Sequence, residues 1–326
     1  MPTARDVAKL AGTSNAVVSY VFNNGPRAVS AAARERVLRA AKELDYKPNA
    51  LARALSAGKT RSIGLIVPDI ANPFFAELAR ALEVAAANRD HLLLIGDSAT
   101  IQNQEHRLLE SFIERQVDSL ILVSLLDEPN LTPAHAANLP VVALHPLSSG
   151  QRASSLTIDY EQAAYVATRH LVDEGYDSIG LLNAPVDSVG TRQHSSGFSR
   201  AVAGTPIVVS RRASPISRAG AAEVTMEWLQ AQDAPRAIYA TTDEQAHGVL
   251  FAAYSLGLKV PNQLAVISVD GTEASAYSVP PLSTIRQPTQ SIAERAIGLL
   301  VDGNPEEPLV KEIFDFALIV RKSSRI

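Results

Sequence analysis

Two groups of side chains in this sequence could do chemistry. Asn15, Ala16 and Tyr20 lie on the side of a short segment opposite Val17, Val18 and Val21. On a helix seated in a DNA major groove, such first exposed positions would face base edges. The second group stands at the ends of apolar strands. Phe74 and Phe75 follow the first strand, Asp97 closes the Leu92 to Gly96 strand, and Asp270 closes a later one. Carboxylates accept hydrogen bonds from adjacent hydroxyls, and an aromatic ring covers an apolar face, a combination suited to a polyol. Phe75 is the first choice for stacking, with Phe74 packing the helix start. Asp97 is read either as lining a cleft or as lying outside it.

The elements that must position these groups fall into two patterns. Residues 1–48 read as three short helices. Thr3 caps the first, with Asp6 as its capping-box partner, and Val7, Leu10 and Ala11 form its apolar face. Gly12-Thr13 makes the turn, and Ser14 caps the second helix. Asn23-Asn24-Gly25-Pro26 ends that helix, and Ser30 starts a third carrying Val37, Leu38, Ala41 and Leu44. Two helices joined by a Gly-containing turn form a helix-turn-helix, although helical hairpins that never touch DNA share that pattern. The stretch Ala50 to Leu55 is about two helical turns, too short to hold alone in water. Ser56 to Thr60 is small and polar, a linker.

From Ser62 onward, strands alternate with amphipathic helices in two successive blocks. Strands are expected at 63–67, 92–96, 120–123, 141–144, 179–182, 207–209, 237–240 and 265–269. Helices are expected at 74–88, 103–115, 161–174, 191–203, 218–231 and 244–256. This is the signature of parallel βαβ units in two doubly wound lobes, with a ligand cleft at the carboxyl ends of the strands.

Composition narrows the class. The 326 residues are 46% hydrophobic and 20% charged, a globular composition, and the absence of cysteine excludes disulfides and thiolate metal sites. The net charge of −4 is unevenly spread: residues 1–60 hold ten Lys/Arg against four Asp/Glu, leaving the remainder at −10. A basic head on an acidic body fits a polyanionic partner for the head, or a solvated basic surface. Gly58-Lys59-Thr60 resembles the end of a phosphate-binding loop, but Arg53 stands where its first glycine belongs, and the segment precedes a strand. Glycine-rich dinucleotide, zinc-protease and serine-hydrolase motifs are absent, and the seven histidines do not cluster at ligand spacing. No catalytic residue, metal or cofactor is expected. The polar amino-terminal residues and the short apolar runs argue against secretion and membrane insertion.

The run from Thr3 to Asn23, with Arg34-Glu35-Arg36-Val37, Leu44 to Asn49 and Ala50 to Leu55, resembles the head of the lactose/galactose repressor (LacI/GalR) family. The similarity continues in Ser62 to Ile66, Asn72-Pro73-Phe74-Phe75, Asp159, Gly197-Phe198, Thr242-Asp243, Val269-Asp270-Gly271, Thr284 to Pro288 and Arg321-Lys322-Ser323. The resemblance implies that Asn15, Ala16 and Tyr20 read bases while Ser14, Ser19 and Asn23 touch phosphates. It also implies that Leu55, beside Arg53, wedges into the minor groove at the centre of a palindromic operator. With Thr3 these residues are the candidate DNA-binding set. Val17 departs from a threonine common in the family and would lack one phosphate contact.

In the core, the resemblance makes Asp270 the ligand-binding acid and adds His145, His194, Arg192 and Thr242 to Phe75 and Asp97 as effector-site candidates. His145 replaces an aspartate, His194 stands where an arginine is common, and Arg192 could substitute for it; Ser188 and Thr242 also differ from common choices. The implied protein is a homodimeric, cytoplasmic, nucleoid-associated bacterial repressor binding a pseudo-palindromic duplex under control of a sugar-like effector. A solute-binding protein and a carbohydrate-processing enzyme are the rival readings. Residues 1–48 would form the DNA-binding head and 49–61 the hinge helix and linker. Residues 62–160 and 289–312 would form one lobe, and 161–288 with 313–326 the other.

Overall fold

The computed structural model describes residues 2–23, 28–47, 58–126, 128–148, 150–304 and 308–325. It contains two compact units, 1–61 and 62–326.

The first unit is helical. Helix α1 (Ala4–Leu10) opens on the expected capping box: Thr3 Oγ1 accepts the Asp6 N–H at 3.3 Å, and Asp6 Oδ2 accepts the Thr3 N–H at 2.8 Å. The Thr3 N–H and the Thr3 hydroxyl, both donating to Asp6 Oδ2, hold the Asp6 carboxyl below its ordinary value. Gly12 takes φ 60°, the left-handed conformation that the tight turn requires. Helix α2 (Asn15–Asn23) follows, with Ser14 Oγ accepting the Val17 N–H, and Ser30 caps α3 (Ala31–Glu43). Val7, Ala8, Ala11, Val18, Val21, Val37, Ala40 and Ala41 form the core. Phe22 packs edge-on to Tyr46, and Arg36 donates to the Ala11 carbonyl. Leu10 and Leu38, expected inside, are nearly half exposed. The helical period aligns 7, 8, 11 and 37, 40, 41 toward the core and turns 10 and 38 off that stripe.

The second unit is built on two mostly parallel sheets. The first, in the order β11-β5-β4-β3-β1-β2, contains β1 (Ser62–Val67), β2 (Leu92–Asp97), β3 (Ser119–Leu122), β4 (Val141–Ala143), β5 (Ser154–Ile158) and β11 (Lys311–Phe314). The second, in the order β12-β10-β9-β8-β6-β7, contains β6 (Ser178–Asn183), β7 (Val208–Ala213), β8 (Ala237–Ala240), β9 (Ala265–Asp270), β10 (Ser283–Arg286) and β12 (Ala317–Ile319). Among the described residues, only β12 runs antiparallel to its neighbour. Central strands such as β1 and β9 are buried throughout, as parallel strands covered on both faces must be.

Helices α4 (Pro73–Ala87), α5 (Gln102–Glu114) and α6 (Thr132–Ala136) belong to the first lobe. Helices α7 (Tyr160–Asp173), α8 (Val189–Val202), α9 (Arg218–Leu229), α10 (Asp243–Ser255) and α11 (Glu273–Ala276) belong to the second. The chain then returns. Helix α12 (Thr289–Val301) packs Ile292, Ala293, Ala296 and Ile297 into the first lobe's core beside Leu78 and Leu82. Three segments therefore join the lobes: those after β5, after β10 and after β11. Strand β11 pairs with β5 through Phe314↔Ile158, so the first lobe's last strand reaches two residues past 312. Gly197 permits the closest helix contact, since a Cβ there would lie 2.0 Å from the Glu161 carbonyl oxygen.

Candidate functional site

The carboxyl ends of the strands in both sheets meet around a cavity of about 110 Å³. That is room for a small organic molecule; one water needs about 10–15 Å³. Each lobe contributes residues that directly follow, or close, its strands. From the first come Asn72, Phe74 and Phe75 after β1, Val123 to Leu126 after β3, and Leu144 to Pro146 after β4. From the second come Tyr160, Asn183, Ser188 to Thr191, His194, Ile216, Thr241, Thr242 and Asp270.

Asp270 is the acidic residue among the described residues that line this wall. It closes β9 at φ 125°, a conformation that favours glycine, and such strain in a buried residue is typical of functional positions. The next residue is Gly271, where a Cβ would lie 2.4 Å from Arg286 Cα. Oδ1 of Asp270 accepts from the Gln287 side-chain amide and Oδ2 from the Asp243 N–H, each at 3.2 Å. Burial, then the neighbouring Asp243, push its carboxyl well above the ordinary range. Asp243 is itself held by the hydroxyls of Ser268, Thr272 and Thr284 and by the Thr272 N–H, at 2.6–2.8 Å. Tyr160 donates its hydroxyl to Gln287 at 3.4 Å, and burial raises its phenol above the usual range.

The two imidazoles are buried. His194 Nδ1 shares a 2.6 Å hydrogen bond with the Tyr239 hydroxyl, its ring tilts 5.2 Å from Tyr160, and desolvation lowers its pKa to about 3. His145 Nδ1 lies 3.2 Å from the Ser124 N–H and 3.3 Å from the Leu122 carbonyl, while its buried Nε2 has no protein partner. Desolvation lowers its pKa to about 4. Both rings are therefore neutral at pH 7.

Of the residues expected from the sequence, Phe75, His145, His194, Thr242 and Asp270 line the cavity; Asp97 and Arg192 do not. Asp97 accepts the N–H groups of Ile70 (3.0 Å) and Ala99 (2.7 Å), tying together the loops that follow β1 and β2. Arg192 lies two residues, about 200° of helix, from His194. Its exposed guanidinium pairs with Asp187 at 2.6 Å. Thr242 caps α10 by accepting the Gln245 N–H. Phe74, expected only to pack, lines the cavity edge-on to Phe75. Tyr160, Asn72, Asn183, Ser124 and Thr191 were not anticipated. Their signal is position: each directly follows or closes a strand, or opens a helix, at the cleft.

In the head, Ser14, Asn15 and Ala16 are exposed, and Ser19 and Tyr20 are half-buried, on a helix whose Val18 and Val21 are buried. The Thr3 side chain is committed to its capping box, and Asn23 closes α2. Arg53 and Leu55 lie outside the described residues. Among the described residues, no cluster of His, Asp or Glu could hold a metal ion, and no helix is long and apolar enough to cross a membrane.

A helix-turn-helix unit followed by two doubly wound lobes enclosing a cavity defines the class of ligand-responsive DNA-binding regulators. Residues 3–49 match the model for bacterial regulatory proteins of the lacI family, and residues 168–324 match that for a periplasmic binding protein-like domain. Catabolite control protein A of Priestia megaterium is 35% identical over 307 residues, 91% of each chain. The HTH-type transcriptional repressor CytR of Escherichia coli (strain K12) is 32% identical over 99% of this chain and 96% of its own. The lac repressor dimer bound to operator and the anti-inducer ONPF superposes with a TM-score of 0.85, at 26% identity, over 100% of this chain and 99% of that one. A complex of the transcriptional regulator CelR with cellobiose gives 0.73 at 26% identity, over 99% and 100%. The chain belongs to the lacI family of bacterial transcriptional regulators. It is a DNA-binding regulator with an effector-binding core.

Proposed function

We propose that this regulator is a homodimeric repressor of a pseudo-palindromic operator, released or recruited by a sugar-like molecule bound between its lobes. The observation that carries this reading is the cavity itself, which draws its wall from both lobes. A ligand that touches both binds their open and closed arrangements unequally and so shifts the balance between them. Asp270 offers hydrogen bonds to hydroxyls, while Phe74 and Phe75 offer apolar faces. CelR, similar over the whole chain, is a cellobiose complex.

Pairing of two copies is supported by exposed apolar residues on both lobes. Phe251, Tyr254, Tyr277 and Val279 are 58–92% exposed on the second, and Leu92 and Ile95 are 63% and 49% exposed on the edge strand of the first. Patches of this kind mark protein interfaces. Within the pair, Asn15, Ala16 and Tyr20 read bases, Ser14, Ser19 and Asn23 hold phosphates, and Leu55 with Arg53 engages the operator centre. The matched relatives named above act in transcription rather than catalysis, and a cytoplasmic, nucleoid-associated regulator is the corresponding location.

Selection of bound duplexes from a random pool by the full chain tests this reading. The expected product is two inverted half-sites with fixed spacing; enrichment of single half-sites would overturn the dimer. A core that no sugar, sugar phosphate or nucleoside stabilises against heat would overturn the effector class.

A further inference from the structure

We propose that the effector cavity admits an uncharged hydroxylated compound and excludes the phosphorylated, anionic form of the same compound. The inference rests on the sensing role proposed above and narrows its ligand. No lysine or arginine lines the cavity, and every lysine and arginine between 62 and 326 is among the described residues. Arg192 comes closest in sequence, and it is paired outside with Asp187. The imidazoles cannot supply the missing charge, because burial holds His145 and His194 neutral down to about pH 4 and 3.

Helix N-termini are the usual recourse for binding a phosphate without a basic side chain. Four helices begin on this wall, α4, α7, α8 and α10, and in each the protein's own groups take a donor that an anion would need; at α7 the Asp159 side chain holds the Gln162 N–H at 2.8 Å. Asn72 accepts the Phe74 N–H at 2.9 Å, Ser188 the Thr191 N–H at 3.3 Å, and Thr242 the Gln245 N–H at 3.2 Å. At α10 the Asp270 carboxyl also holds the Asp243 N–H, so an acid already occupies the positive end of that helix. A phosphate would meet this acid across a wall that includes Phe74, Phe75, Leu125 and Leu144, where a charge loses its hydration without gaining a partner. Hydroxyls meet no such penalty. Asp270 is a hydrogen-bonding group on the wall, and the buried Nε2 of His145 has no protein partner.

Thermal unfolding of the full chain at pH 7.5 tests the proposal with matched pairs: glucose and glucose 6-phosphate, ribose and ribose 5-phosphate, cellobiose and its phosphate, adenosine and AMP. At a concentration about a hundredfold above its Kd, a bound compound raises Tm by roughly 5 °C or more. The expected result is such a rise with the neutral member of at least one pair and at least tenfold weaker binding of its phosphate. A phosphate that binds as well as its neutral partner, or better, overturns the proposal. If no compound in the panel raises Tm, the sugar-like effector read above falls instead, a separate outcome.

Discussion

Ser124 donates its hydroxyl hydrogen to the Glu105 carboxylate at 2.7 Å, joining the wall of the effector cavity to a residue of a separate crevice of about 280 Å³. The main-chain N–H of the same serine meets His145 Nδ1, and its Oγ accepts from the Leu126 N–H. Glu105 thus orients the loop that carries Leu125 and Leu126 and that, through the Ser124 N–H, meets His145 on the loop after β4. Glu105→Leu leaves the Ser124 hydroxyl without its acceptor and should cost about 1–3 kcal/mol of stability. The affinity of the cavity for its ligand should drop about tenfold, whereas Glu105→Gln, which keeps an acceptor of the same size, should stay near the native value. Calorimetric titration of both variants checks this. Equal affinities for native, Gln and Leu proteins would remove the positioning role.

Asp270 and Asp243 are neighbouring buried carboxyls with different solutions to burial. Asp243 is satisfied by four short hydrogen bonds, while Asp270 has two longer ones and faces the cavity. Asp270→Asn should therefore blunt the effector response, raising the ligand Kd about tenfold for a lost hydrogen bond, with operator affinity nearly unchanged. Operator titrations by fluorescence anisotropy, with and without ligand, read both quantities. An unaltered ligand dose-response would take Asp270 out of the site.

The parts of this molecule that local chemistry determines were legible in the sequence. The Thr3–Asp6 box, the Ser14 and Ser30 caps and the alternation from Ser62 onward are short-range signals, and Phe75 and Asp270 reach the cavity because strand ends converge there; His145, His194 and Thr242, expected from the family resemblance, line it too. Long-range facts were not legible. Strands β10 and β12 are four and three residues long and acquire meaning only by pairing across the returning chain. Asp97 closes its strand and could be read either into the cleft or out of it; two loop N–H groups claim its oxygens away from the cavity. Tyr160 was passed over because a helix start gives no periodicity, although it directly follows the Asp159 cap.

The buried titratable groups make opposite contributions to acid stability. The folded-state pKa values of His145 and His194, about 4 and 3, lie below the unfolded value of 6.5. The unfolded chain therefore binds more protons in that window, and stability falls as pH drops below 6.5. By pH 4.5 each imidazole should have cost about 2–3 kcal/mol. Asp270, with its raised carboxyl, acts the other way: its contribution favours the fold at low pH and is lost as pH rises above the ordinary carboxylate range. Tm measured from pH 7.5 to 4.5 should fall steeply in the native protein and less in His194→Gln. Asp270→Asn should gain most relative to native at the neutral end. A Tm profile for His194→Gln parallel to the native one would show that the ring is not held neutral.

The head carries +6 within residues 1–60, so phosphate contacts should dominate its grip on DNA. Raising salt from 50 to 200 mM should weaken operator binding by about a thousandfold or more if the two heads of a dimer make six to ten phosphate contacts. On the proposed role, Leu55 would add shape rather than charge. Leu55→Ala should therefore weaken operator binding strongly, leave binding to non-specific duplex nearly unchanged, and preserve the salt slope, because every base in the head remains. Equal losses on both duplexes would exclude the wedge, and a flat salt response would exclude phosphate contacts by the head.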